Sequence, residues 1–187
     1  MRVLPLLFVA FGLVLTSAVP RCLAADAAPE AGFTPLFNGK DLTGWQTARV
    51  PKSEPLDGKT DAFAGRFKVA DGILVYDPAV KGNAYIETTR EFSKDVDVKL
   101  DFKAGPKCNN DFFLRGTKFD IIPGNKENKD VKEGEWSTLE IVVQGDTVEH
   151  KINGVTVRTA KAGQPSSPFM LRAEFGDIQI RNIRVKE

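Results

Sequence analysis

The sequence predicts an all-β fold of about ten short antiparallel strands, closed as a sandwich or barrel. Two observations carry this reading. Apolar residues alternate with period two, and no stretch after Phe33 has the 3.6-residue spacing of an amphipathic helix. Tight-turn dipeptides then cut the alternating segments at short intervals.

The clearest element is Val96 to Phe102. Val96, Val98, Leu100 and Phe102 share one face and Asp97, Lys99 and Asp101 the other, as in a strand with one face in a core and one in water. Phe67–Ala70 and Ile73–Tyr76 flank Asp71-Gly72, a pair that accepts the positive φ angles of a two-residue hairpin. Thr138–Gln144 and Thr147–Ile152 flank Gly145-Asp146, and Asn153-Gly154 turns the chain into Val155–Arg158. Further strands are expected at 84–88, 112–115, 118–122, 169–175 and 178–185. Thr47–Gly65, with two prolines and mixed charge, and Pro123–Gly134 read as irregular. The core is expected to include Val98, Leu100, Phe102, Phe112, Leu114, Leu139 and Ile141.

Residues 1–25 read as a secretory signal peptide: Arg2, an apolar run from Leu4 to Leu15, and small residues at Ala24-Ala25. A linker at 26–32 and one domain at 33–187 follow. Taking 25 residues from 187 leaves 162, one domain's worth of chain. Losing Arg2 and Arg21 takes Lys+Arg from 26 to 24 against 25 Asp+Glu, a net charge of −1. That balance argues against nucleic acid as a partner. No later run is long and apolar enough to insert in a membrane, so a periplasmic or secreted protein is expected. Cys22 leaves with the signal, and the lone Cys108 excludes an internal disulfide and a cysteine-rich metal site; an inert buried thiol is expected.

Strand parity nominates polar stripes. Asp111, Phe113 and Arg115 alternate with Phe112 and Leu114, and Arg172 and Glu174 alternate with Leu171, Ala173 and Phe175. Carboxylates, guanidinium groups and an aromatic ring on one sheet face suit sugar; the same residues also suit a solvated face laced by cross-strand ion pairs. His150, the one histidine, shares parity with Val148 and Ile152. It is either a general base on a concave face or a structural core residue holding a buried hydrogen bond. Trp45 and Trp136 read as structural.

Phe33-Thr34-Pro35-Leu36-Phe37-Asn38-Gly39-Lys40-Asp41-Leu42-Thr43-Gly44-Trp45 resembles the opening of the 3-keto-disaccharide hydrolase domain family. The resemblance continues at Asp71–Leu74, Asn109–Arg115, Gly134–Ser137, Glu149–Gly154 and Ile180–Ile183. It implies an exported, concanavalin-like jelly roll, an antiparallel β-sandwich. It also implies cleavage of glycosides oxidised to a ketone at C3, by hydrolysis or by elimination and hydration. That chemistry needs a base for the C2 proton, a cationic group or divalent metal for the enolate oxygen, and an acid for the leaving oxygen. The resemblance points to Arg115 as a ligand-binding residue. Asp120, following Phe119 where the family often has Tyr-Glu, is an acid or a metal ligand, with Glu174 as its partner. No cofactor is required by the sequence.

The chain departs from the family pattern in three places. Asn110-Asp111 replaces Ser-Gly, Leu171-Arg172-Ala173-Glu174 replaces a Leu-Gln-x-His pattern, and the stretch from Asp120 to Trp136 is short. Alternative readings are therefore a non-catalytic carbohydrate-binding domain and a cell-surface protein-interaction domain.

Overall fold

A computed structural model describes residues 30–187. The expected signal peptide and the start of the expected linker lie outside the described residues. Glu30, expected within the linker, is docked: its carboxylate pairs with Lys99 at 2.7 Å and Arg184 at 2.9 Å.

The described chain is made of strands: β1 (Thr34–Pro35), β2 (Trp45–Thr47), β3 (Asp61–Ala62), β4 (Phe67–Ala70), β5 (Ile73–Tyr76), β6 (Ala84–Phe92), β7 (Val96–Ala104), β8 (Asn109–Leu114), β9 (Thr117–Ile121), β10 (Trp136–Gln144), β11 (Thr147–Ile152), β12 (Val155–Lys161), β13 (Ser167–Phe175) and β14 (Ile178–Lys186). Among the described residues there is no helix, hence none able to cross a membrane. Two antiparallel sheets pack face to face as a β-sandwich of jelly-roll type. The larger runs β12-β11-β10-β7-β14-β5-β4-β3, with β1 added beside β14, and the smaller runs β2-β6-β13-β8-β9.

Alternation builds the core. β7 is buried at every second residue from Val96 to Ala104. All seven expected core residues are 1 % exposed or less, and the apolar faces of both sheets merge into one cluster. The hairpins turn where expected. Asn153 and Gly154 have φ of 51° and 81°, the left-handed pair that matches strand twist. The stretch 47–65, read as irregular, contains β3 and a bridge between Gln46 and Pro55. The loop after β9 has no strand but is pinned. The fully buried Asn128 donates through Nδ2 to the Asp120 carbonyl at 2.9 Å, which fixes the backbone carrying Asp120.

Two expectations fail, both because parity was extended past a regular strand. Arg115 does not continue the Asp111–Phe113 stripe. It and Gly116 form the β8–β9 turn, with φ of 52° and 76°. Phe175, expected inward with Leu171 and Ala173, is 60 % exposed. The pairing of β13 with β8 shifts register between Arg172 and Phe175, so the strand end swings out. Of the two readings open for His150, the core one holds: the side chain points inward and is fully buried.

Candidate functional site

The outer face of the smaller sheet carries the charge. On β8, Asn110, Phe112 and Leu114 are buried inward, which turns Asp111 and Phe113 outward; on β13 the outward residues are Met170, Arg172 and Glu174. Register assembles them into rows. Tyr85 of β6 lies opposite Arg172, Arg172 opposite Asp111, and Asp111 opposite Asp120 of β9. A neighbouring row runs Gln46, Glu87, Met170, Phe113 and Lys118 across all five strands.

The first row is a continuous ionic network. Arg172 donates through Nη1 to Asp111 Oδ2 at 2.7 Å and through Nη2 to Glu174 Oε1 at 2.6 Å. Lys118 Nζ lies 2.5 Å from Asp120 Oδ1 and 3.8 Å from Asp111 Oδ1. The Asp111 carboxylate is fully buried, while the Asp120, Glu174 and Lys118 side chains reach solvent at 24 %, 17 % and 46 % exposure. Burial, then the neighbouring Asp120, push the Asp111 carboxyl up to about 6, against the pull of Arg172. Burial works to raise Asp120 as well, but the neighbouring Asp111 and the bond from Lys118 outweigh that and hold it below the ordinary range. The two opposed carboxyls are thus split, one more easily protonated and one ionised, which is how paired carboxyls acquire distinct acid and base roles.

The scaffold below this row is built from the same positions. Asn110, fully buried, accepts from the Glu174 backbone N–H at 2.8 Å and donates to the Phe175 carbonyl at 2.9 Å. Its amide replaces the ladder bonds lost at the register shift. Arg66, 2 % exposed, donates to the Glu174 carbonyl at 2.9 Å. Two of the three departures from the family pattern, Asn110-Asp111 and Arg172 to Glu174, therefore form one connected unit. A buried aspartate at 111 needs a cation, Arg172 is that cation, and Glu174 takes the second arm of its guanidinium.

Of the seven side chains nominated from sequence, Asp111, Phe113, Asp120, Arg172 and Glu174 lie on this face. Arg115 does not: its Nε donates to the Gln164 carbonyl at 2.9 Å and its Nη1 to the Lys94 carbonyl at 3.2 Å, so its guanidinium ties loops together. Nor does His150. It stacks on Phe119 between the sheets, with centroids 4.8 Å apart, and neither ring nitrogen has a partner, so the expected buried hydrogen bond is missing. Burial, then Arg158, push its imidazole down to about 4, leaving it neutral and walled off from ligand. Tyr85, Lys118, Glu87 and Arg49 were not nominated. The Arg49 guanidinium sits 4.8 Å from the Tyr85 ring and 5.1 Å from the Phe113 ring. Alternation marks Tyr85 and Lys118 as outward, but only cross-strand register shows that they join the site.

The residues do not fit a divalent metal. The Lys118 ammonium occupies the place beside Asp120 and Asp111 that a metal would take, and among the described residues no three His, Cys, Asp or Glu converge. The charged row lies between two depressions. One, of about 420 Å³, is lined by Glu87, Phe113, Lys118 and Met170; the other, of about 570 Å³, by Asn109, Glu174 and Phe175.

A family model described as a 3-keto-alpha-glucoside-1,2-lyase-like domain matches residues 32–127 and 118–186. The chain belongs to this family. The family assignment agrees with the resemblance read from the Phe33–Trp45 opening and makes this a carbohydrate-active domain. No curated protein matches the sequence significantly. Among solved structures, the chain is similar to two candidate glycosyl hydrolases from Parabacteroides distasonis. One is 19 % identical with a TM-score of 0.65, over 83 % of this chain and 93 % of that one. The other is 17 % identical with a TM-score of 0.63, over 83 % and 98 %. The carbohydrate-binding module CBM66 of Bacillus subtilis is 13 % identical with a TM-score of 0.51, over 78 % and 96 %. At these identities the likeness is one of fold.

Proposed function

We propose that this domain binds a glycoside across the outer face of the smaller sheet and cleaves it when C3 of the sugar is a ketone. The observation that carries the proposal is the row Arg172–Asp111–Asp120 with Lys118, which sets opposed carboxyls beside cations on the face of a lyase-like family domain. A C3 ketone acidifies the C2 proton. The ionised Asp120, or Glu174 at the other end of the row, takes that proton, and the electron pair moves to the C3 oxygen, where Lys118 or Arg172 offsets the enolate charge. The enolate then re-forms the ketone and expels the C1 oxygen, which leaves as an alcohol with a proton from a carboxyl of the row. Water adds back across the resulting double bond. Asp111 is buried and acts through Asp120 as a positioning residue.

The test is incubation of the protein with a 3-keto-glucoside while free sugar is followed. Release of sugar that Asp120→Asn lowers at least tenfold supports the proposal; no release by the wild type contradicts it. One observation favours a second reading, binding without cleavage: both Nη groups of Arg172 are already engaged by carboxylates. Saturable glycoside binding with no sugar release would select that reading.

Export belongs to the same proposal and rests on Arg2 and the apolar run after it. A mature N-terminus at Ala25 or Asp26 in a secreting host supports it, and intact Met1 in the membrane fraction contradicts it.

A further inference from the structure

We propose that the 570 Å³ depression beside Phe175 is a second sugar subsite, which stacks a pyranose ring on Phe175 and extends the ligand to two or more sugar units. The proposal rests on the reading that the charged row takes a glycoside.

Phe175 is one of two large apolar side chains exposed among the described residues, at 60 %, and the other, Val155, opens strand β12 directly after the Asn153-Gly154 turn. An exposed phenyl ring with no structural duty invites a ligand, and the backbone that carries this one is pinned. Asn110 fixes its carbonyl at 2.9 Å. The next residue, Gly176, has φ of 67° and packs so closely on Lys107 that a Cβ there would lie 2.6 Å from the Lys107 carbonyl. The Gly105 N–H donates to the Asp177 carbonyl at 3.0 Å, closing the far side of the corner. A backbone fixed in this way leaves only the two side-chain torsions to order when a ligand stacks on the ring.

The wall of the depression matches a sugar chemically. Pro78, Val80 and Pro106 give it apolar surface beside the ring. Two wall residues carry buried polar atoms without a partner, Asn109 Oδ1, an acceptor, and Arg66 Nε, a donor. A sugar hydroxyl, which both donates and accepts, matches either atom. An apolar face with a few convergent polar groups is the usual make-up of a small-ligand pocket. Glu174 belongs to this depression and to the charged row, so a ligand seated on both is continuous through Glu174.

The test is amide-resolved NMR titration with methyl α-glucoside, maltose, trehalose and cellobiose, each to about a hundred millimolar. The expected result is saturable shifts of the Gly176 and Gly82 amides by at least one disaccharide, with affinity at least tenfold weaker in Phe175→Ala and kept in Phe175→Trp. Equal affinity in wild type and Phe175→Ala overturns the subsite, as does the absence of shifts at Gly176 and Gly82 with every sugar. Failure of the cleavage reading shows separately, as Phe175-dependent shifts in a protein that releases no sugar from a 3-keto-glucoside.

Discussion

His150→Phe is the most informative single substitution. The imidazole is fully buried, lies 4.8 Å from the Phe119 ring at an interplanar angle of 11°, and leaves both nitrogens unpartnered. Phenylalanine keeps the stacking and removes the two orphan polar atoms. Relief of an unmet buried polar group is worth about 1–3 kcal/mol, and the cost of a slightly larger ring is of the same size. At pH 7.5 the variant should therefore lie within about 1 kcal/mol of the wild type. The pH dependence separates them. The pKa of His150 falls from 6.5 to about 4 on folding, so between these values the unfolded chain binds the proton that the native state refuses. Stability is full above the unfolded pKa and drains as pH falls through the folded one, by roughly 3 kcal/mol at pH 4. Asp111 has the opposite sign, its raised pKa costing stability as pH rises toward about 6. That contribution is common to both proteins and cancels in their difference. Urea unfolding across pH 4 to 7.5 should show the acid loss in the wild type and not in the variant. Equal acid slopes, or a variant weaker by more than about 2 kcal/mol at pH 7.5, would refute the unpartnered neutral imidazole.

Arg172→Gln strands the buried Asp111 carboxylate and should cost about 3–5 kcal/mol in urea unfolding at pH 8, with a smaller deficit at pH 5 where Asp111 takes up a proton. Asn110→Ala removes the bridge to Glu174 and Phe175; it should lower stability by about 1–3 kcal/mol and speed hydrogen exchange at the Glu174 amide. Gly176→Ala combines a positive φ with a Cβ 2.6 Å from Lys107 backbone, so it should lose at least about 1 kcal/mol in thermal unfolding.

Much of this architecture is written in the alternation of the chain. Val96–Phe102 declares its buried face, and Phe112 and Leu114 declare theirs, so the outward placement of Asp111 and Phe113 follows from pleating alone. Arg172 and Glu174 are legible in the same way. Which strands lie side by side is not, because pairing is settled by the packing of whole sheets. The row Tyr85–Arg172–Asp111–Asp120 joins residues from four strands and has no local signature. Parity misleads where regular pairing ends. Arg115 is a left-handed turn residue, and Phe175 lies past a register shift that a buried asparagine side chain absorbs. For His150, parity with Val148 and Ile152 leaves two faces open, and only the packing of Phe119 across the sandwich selects the interior.

The central claim is that the glycoside lies on the outer face of the smaller sheet, against Asp120, Arg172 and Glu174. A crystal structure of Asp120→Asn soaked with a 3-keto-glucoside tests it most directly. The account predicts a sugar ring over the Arg172–Asp120 row, with its C3 oxygen within hydrogen-bond distance of Lys118 or Arg172. A sugar bound on the outer face of the larger sheet, or a row left bare at saturating ligand, would contradict it.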